Sequence, residues 1–233
     1  MSKISTKINM GNFFEDFSIG QKIVHPLPRT ISDGDVSLYI AFTGSRFALH
    51  SSDTVAIEMG YDKKPIDDVL MFHLTFGKSV QDVSLNAIAN LGYAEMSFPN
   101  SVFVGDTVSM TSTVIGLKEN SNGKSGVVYV HSIGVNQNGA EVLNFKRWVM
   151  VHKKDQTTLS GINEVPTFAK TTPIADVINI PTIKTVDTNA TGGKYFFEDY
   201  VAGERLNHPE GITIDNSDHT LATKLYQNNA KVH

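Results

Sequence analysis

The sequence predicts an α+β domain in which a curved antiparallel sheet wraps one long apolar helix. Two observations carry that reading. Residues 67–83 hold Val69, Phe72, Phe76, Val80 and Val83 at spacings of three and four, the mark of a helix with a wide apolar face. The period then switches to two over 87–98, 102–117, 126–137 and 140–153, stretches rich in Val, Ile, Tyr and Thr. Turn chemistry separates them at Phe98-Pro99-Asn100, Asn120-Ser121-Asn122-Gly123 and Asn138-Gly139.

Each element has a local reason. Ser32-Asp33-Gly34-Asp35 places short oxygen-bearing side chains ahead of Val36, Leu38, Tyr39 and Phe42, which satisfies the orphan amides of a helix start. That helix ends at Gly44, where positive φ costs little. Residues 52–60 form a second short helix ending at Gly60. Asp67 begins the main helix, since a carboxylate suits the positive end of the helix dipole. A helix followed by a strand meander is buried almost completely by the sheet that curls round it, which is the hotdog arrangement.

An internal repeat extends the prediction. Residues 13–50 and 196–233 align without a gap at an offset of 183, with twelve of 38 positions identical. Phe13-Phe14-Glu15-Asp16 matches Phe196-Phe197-Glu198-Asp199, His25-Pro26 matches His208-Pro209, and His50 matches His233. The expected organisation is a hotdog domain over 12–153, a linker over 154–194 and the incomplete start of a second hotdog unit over 195–233, a double hotdog packed as a pseudo-dimer. The linker holds three of the eight prolines and the Gly192-Gly193 pair without a sustained period, as an extended tether does. Because the second unit stops at its histidine, the natural protein is expected to be longer, or the 233-residue chain to be catalytically impaired.

Composition narrows the function. The chain has 233 residues, more than one average domain of about 100–200 residues and less than two comfortable ones. Twenty Lys and Arg against 24 Asp and Glu leave a net charge of −4, with no surplus to track a phosphate backbone, so nucleic acid is not an expected partner. There is no cysteine, which removes disulfides, thiolate metal sites and a cysteine nucleophile, and fits a reducing compartment. With no signal-like or membrane-length apolar run, a cytoplasmic location and no membrane partner are expected.

The candidate chemistry lies where a helix ends in a polar loop carrying a histidine. Ser45 stands five positions before His50, and Asn228 five before His233. That spacing can bring an oxygen and an imidazole to one water molecule for acid–base work, although a loop histidine can also simply cap a helix. Arg46 could pair with a substrate carboxylate or with another part of the chain. His25-Pro26 and His208-Pro209 read as fixed turns, His73 as a core histidine, and Asp35 and Asp218 as first-turn carboxylates. No metal-ligand spacing, nucleophile elbow or phosphate-binding glycine loop occurs, which leaves a cofactor-free reaction or plain binding.

The run FFEDFSIGQKIVHPLPRTISDGDVSLYIAFTGSRFALHSSD resembles the opening of the MaoC-like, (R)-specific enoyl-CoA hydratases, whose signature is a Gly-Asp-x-Asn-Pro-Leu-His loop in a hotdog fold. More narrowly, RFALHSSD, SLNAIANLGYAE, STVIGLKENSNGKSGVVYV and LYQNNAKVH resemble the mesaconyl-CoA hydratases, and the likeness covers 12–153 and 195–233. The resemblance implies reversible hydration of an enoyl-CoA, mesaconyl-CoA to β-methylmalyl-CoA, by a homodimer with no metal or redox cofactor. The family's loop aspartate falls on Ser45 and Asn228, and its histidine on His50 and His233. With neither carboxylate kept, a histidine must carry the proton. Asn228 and His233 are the first assignment for chemistry, and His50 and Ser45 the second. Arg46 is assigned to the free carboxylate of a dicarboxylic acyl group. Gln227 keeps an acyl-CoA thioesterase open as an alternative, and a non-catalytic acyl-CoA-binding module is the other.

Overall fold

In the computed structural model, which describes residues 9–183 and 187–231, a 3-10 turn at Phe14–Asp16 leads into strand β1 (Lys22–Thr30). Ser32 caps helix α1 (Asp33–Thr43) reciprocally: the Asp35 amide donates to the Ser32 hydroxyl, and the Ser32 amide donates to the Asp35 carboxylate. Gly44 stops the helix at φ 67°. Helix α2 (Ala48–Ser51) follows, then α3 (Asp53–Met59), which Gly60 closes at φ 107°.

Asp67 caps the central helix α4 (Asp68–Phe76) by accepting from the amides of Val69 and Leu70. Beyond Phe76 the rod does not remain α-helical. It tightens into a 3-10 turn at Gly77–Ser79 and widens into a π turn at Val80–Ser84. The change of winding falls at Gly77, where an added Cβ would lie 1.8 Å from the Tyr226 carbonyl oxygen.

Strands β2 (Ala87–Ser97), β3 (Thr107–Glu119), β4 (Ser125–Val135) and β5 (Glu141–His152) complete an antiparallel sheet in the order β1-β3-β4-β5-β2. Its inner face closes on α4, so Leu70, Leu74 and Val80 pack with Met110, Leu143 and Phe145 in one core. This is the hotdog fold. Strand β3 begins five residues later than its alternation suggests. Residues 102–106 instead form a turn in which the Phe103 amide donates to Asp106 and Gly105 takes φ 97°. Strand β1 has no clean alternation, because a bulge between His25 and Arg29 puts Leu27 at φ 65°.

The first part of the segment that follows β5 lies against the sheet. Its two-residue strand β6 (Asn163–Glu164) pairs with β3, and Phe168 stacks on Trp148 at 4.9 Å. After the short helices α5 (Ile174–Val177) and α6 (Thr188–Thr191), the repeat reappears. A 3-10 turn at Phe197–Asp199 and helix α7 (Asn216–Tyr226) reproduce Phe14–Asp16 and α1 at the offset of 183. Asp215 stands in for Ser32 as cap, and Gln227 takes the left-handed stop of Gly44 at φ 55°. Residues 205–213, the counterpart of β1, form no strand, since β3 already has β1 on that edge. Helix α7 packs on α1 and α4, which brings Leu225 and Ala230 into the main core.

Candidate functional site

Gly44 ends α1 and lets the chain turn into α2, which packs on α3 and reaches the residues just ahead of α4. There His50 is half-buried, and its Nδ1–H donates to the Pro65 carbonyl at 3.1 Å. A carbonyl only accepts, so Nδ1 holds the hydrogen and Nε2 is the basic nitrogen of the ring. The imidazole borders a cleft of about 250 Å³ with apolar walls from Phe47, Leu49 and Met59 on one side and Ile178, Ile180 and Ile183 of the tether on the other. Asp68, Tyr61 and Ser101 are its remaining polar lining.

Asp68 is the residue that sequence reasoning missed. Asp67 spends its carboxylate capping α4, whereas Asp68, one position on, lines the cleft with His50. Burial raises its carboxyl above the usual range, the His50 imidazole opposes the shift, and Asp67 adds to it. The Tyr61 hydroxyl is also raised, first by burial, against its hydrogen bond with Ser101 and with help from Asp68. The paired aspartates at 67 and 68 were a signal, but only the backbone direction at the helix start tells which one caps and which one faces the cleft.

The other predicted residues sit as follows. Ser45 is half-buried, its amide donates to the Thr43 hydroxyl at 3.3 Å, and it is not among the residues lining the His50 cleft. Arg46 is 77% exposed and pairs with Glu210, an ion pair between the two copies of the repeat that lies outside the cleft. In the second loop Asn228 is half-buried and its amide donates to the Thr223 carbonyl at 3.0 Å. Gln227 accepts from Lys78 Nζ at 3.0 Å, and Asn229 donates to Gln81 at 3.3 Å, so this loop is docked on the far end of the α4 rod. His233 lies outside the described residues.

His73 behaves as a core residue, stacked on Tyr226 at 4.2 Å and lowered in pKa by burial against the pull of Asp67. His25 is buried inside β1, not in a turn. Its Nδ1 lies 2.8 Å from the Asp82 carboxylate and its Nε2 2.8 Å from the Ser112 hydroxyl, which ties β1 to the π turn beyond α4. Asp35 is held below the ordinary carboxylate range: burial opposes this, but the Ser32 hydrogen bonds and Arg29 outweigh it. Among the described residues, no group of three or more His, Cys, Asp or Glu side chains is placed to hold a metal, and no helix is long and apolar enough to cross a membrane.

A family model described as mesaconyl-CoA hydratase matches residues 1–183. The chain is 50% identical to a β-methylmalyl-CoA dehydratase of Chloroflexus aurantiacus over 99% of its own length and 66% of the relative's. It is 47% identical to a mesaconyl-CoA hydratase of Cereibacter sphaeroides over 97% of its length and 67% of that protein. A crystal structure titled as a putative MaoC domain protein dehydratase from Chloroflexus aurantiacus superposes with a TM-score of 0.94 at 50% identity, covering 98% of this chain and 66% of that one. The chain thus spans about two thirds of the length of the relatives it matches.

Proposed function

The chain belongs to the mesaconyl-CoA hydratase family, and on that premise we propose that it adds water reversibly across the double bond of mesaconyl-CoA to give β-methylmalyl-CoA. The hydroxyl goes to Cβ and a proton to Cα while the thioester stays intact, so the step calls for a base, an acid and an apolar cradle, with no electron transfer. The observation that supports this reading is His50, an imidazole with Nδ1 held by a backbone carbonyl and Nε2 left basic, at an apolar cleft.

Two loops that align in sequence hold the candidates, Ser45 with His50 and Asn228 with His233. In each, a neutral oxygen can orient water but cannot accept its proton near neutral pH, so the imidazole is the group that can. A homodimer is part of the proposal, because edge strand β2 leaves Ile88, Leu91 and Tyr93 about two fifths exposed.

The test is incubation with mesaconyl-CoA while following both the enoyl-thioester absorbance and free thiol. Loss of the enoyl band without thiol is the expected result. Release of thiol would make the protein a thioesterase, and saturable binding with neither change would make it a binding module; either outcome overturns the proposal.

A further inference from the structure

The loop positions that carry the family's carboxylate hold Ser45 and Asn228 here, yet the His50 cleft does contain a carboxyl group. It comes from a different element, the first turn of α4. We propose that Asp68 and His50 form the acid–base pair of this cleft, and that Asp68 supplies the carboxyl function that the loop lacks.

Three observations carry the assignment beyond the family resemblance. The two side chains arrive from separate elements, α2 and α4, and line the same cleft among seven apolar residues. The His50 ring is held in place by the Pro65 carbonyl, so its basic Nε2 has a fixed relation to α4. Asp68 is free for chemistry because Asp67 caps the helix in its place. Burial, moreover, favours the protonated form of Asp68, as an acid next to a base requires.

The inference rests on the hydratase reading and completes its proton inventory. His50 Nε2 takes a proton from water as the water oxygen bonds to Cβ. The π electrons of the double bond move toward the thioester, and the Asp68 O–H delivers its proton to Cα. The imidazolium then loses a proton to the cleft water and the Asp68 carboxylate regains one from it, so both groups end as they began and one water has been added. The cleft, about 250 Å³ with mostly apolar walls, is the space in which these steps take place. Three of its apolar lining residues, Ile178, Ile180 and Ile183, belong to the tether, which therefore takes part in shaping the site.

The experiment is a double-mutant cycle in steady-state hydration of mesaconyl-CoA by the full chain, using Asp68→Asn, His50→Ala and the double variant. Each single substitution is expected to lower kcat by at least about 100-fold with KM little changed. The double variant should be no slower than the worse single one, because the pair works as a unit. Asp68→Glu should recover part of the rate. A merely structural Asp68 would give multiplying losses and a lowered melting temperature, and that result overturns the proposal. So does full activity in His50→Ala or in Asp68→Asn while the wild type hydrates, which would move the chemistry to the second loop and leave the hydratase reading intact. No hydration by the wild type would instead overturn the reading itself.

Discussion

Replacing Arg147 by Met should leave the protein within about 1 kcal/mol of its original stability or make it more stable. Arg147 projects from β5 into the sheet–helix interface and is fully buried. Its Nη2 donates to the Ser79 hydroxyl at 2.9 Å and its guanidinium lies 4.4 Å from the Phe76 ring centroid, but Nε and Nη1 have no hydrogen-bond partner. Burial lowers its pKa from the ordinary guanidinium value to about 10, and Tyr93 pulls the other way. At about 1.4 kcal/mol per pH unit, holding the charge there at neutral pH costs roughly 3 kcal/mol. Against this stand a hydrogen bond of about 1 kcal/mol and a ring contact of about 1–2 kcal/mol. The two sides nearly cancel, so Arg147→Met, which keeps the stem and drops the charge, should fall within about 1 kcal/mol of wild type or gain stability. Arg147→Ala opens a cavity and should lose about 3 kcal/mol. The group binds its proton less tightly folded than unfolded. Its penalty is therefore complete below about pH 10 and fades as pH rises above that toward the ordinary guanidinium range, which should bring wild type up toward the Met variant. Urea unfolding of the three proteins measures this, and a loss of clearly more than about 1 kcal/mol in Arg147→Met would show that the guanidinium has a stronger partner than its hydrogen bond and ring contact.

Gly77→Ala would place a methyl group 1.8 Å from the Tyr226 carbonyl oxygen, and backbone on both sides leaves no flexible atom to yield. Amide exchange in 216–231 should quicken, with a cost of about 1–3 kcal/mol, while β3–β5 stay protected; unchanged exchange would mean that α7 does not dock on α4. Ser32→Ala removes the cap of α1 and should cost about 1 kcal/mol in urea unfolding, with no loss expected only if Asp35 alone holds the turn. The Glu119 carboxyl is held down to about 2 by hydrogen bonds from Lys153, Gly161 and Ser160. Its folded pKa lies below the unfolded one, so its contribution is complete above about pH 4.5 and is lost as pH falls toward 2. Glu119→Gln should flatten the stability profile across that window, and an unaltered profile would sink the assignment.

Much of the fold was legible because local chemistry and global packing agree. Ser32 and Gly44 bound α1 at the residues expected, and the gapless repeat led to α7 with the same length, cap and left-handed stop. The central helix and the strands of the meander stood where the period changed. Strand β1 was hidden because Pro26, Leu27 and Pro28 form a bulge that breaks alternation, and what holds it is His25 reaching Asp82 and Ser112, contacts 57 and 87 residues away. The change of winding at Gly77 was equally invisible, since it answers to Tyr226 at the other end of the chain. The site followed the same division. His50 could be found from the repeat, whereas Asp68, Tyr61 and the tether isoleucines meet it only through tertiary packing. Of the two readings open for Arg46, a substrate carboxylate or another part of the chain, its ion pair with Glu210 matches the second.

The central claim is that this chain adds water to an enoyl-CoA and leaves the thioester whole. Mass spectrometry of mesaconyl-CoA incubated with the protein in water carrying heavy oxygen tests it most directly. The account predicts an acyl-CoA product heavier by one labelled water, with coenzyme A still attached. Unchanged mesaconyl-CoA, or a labelled free acid beside released coenzyme A, would contradict it.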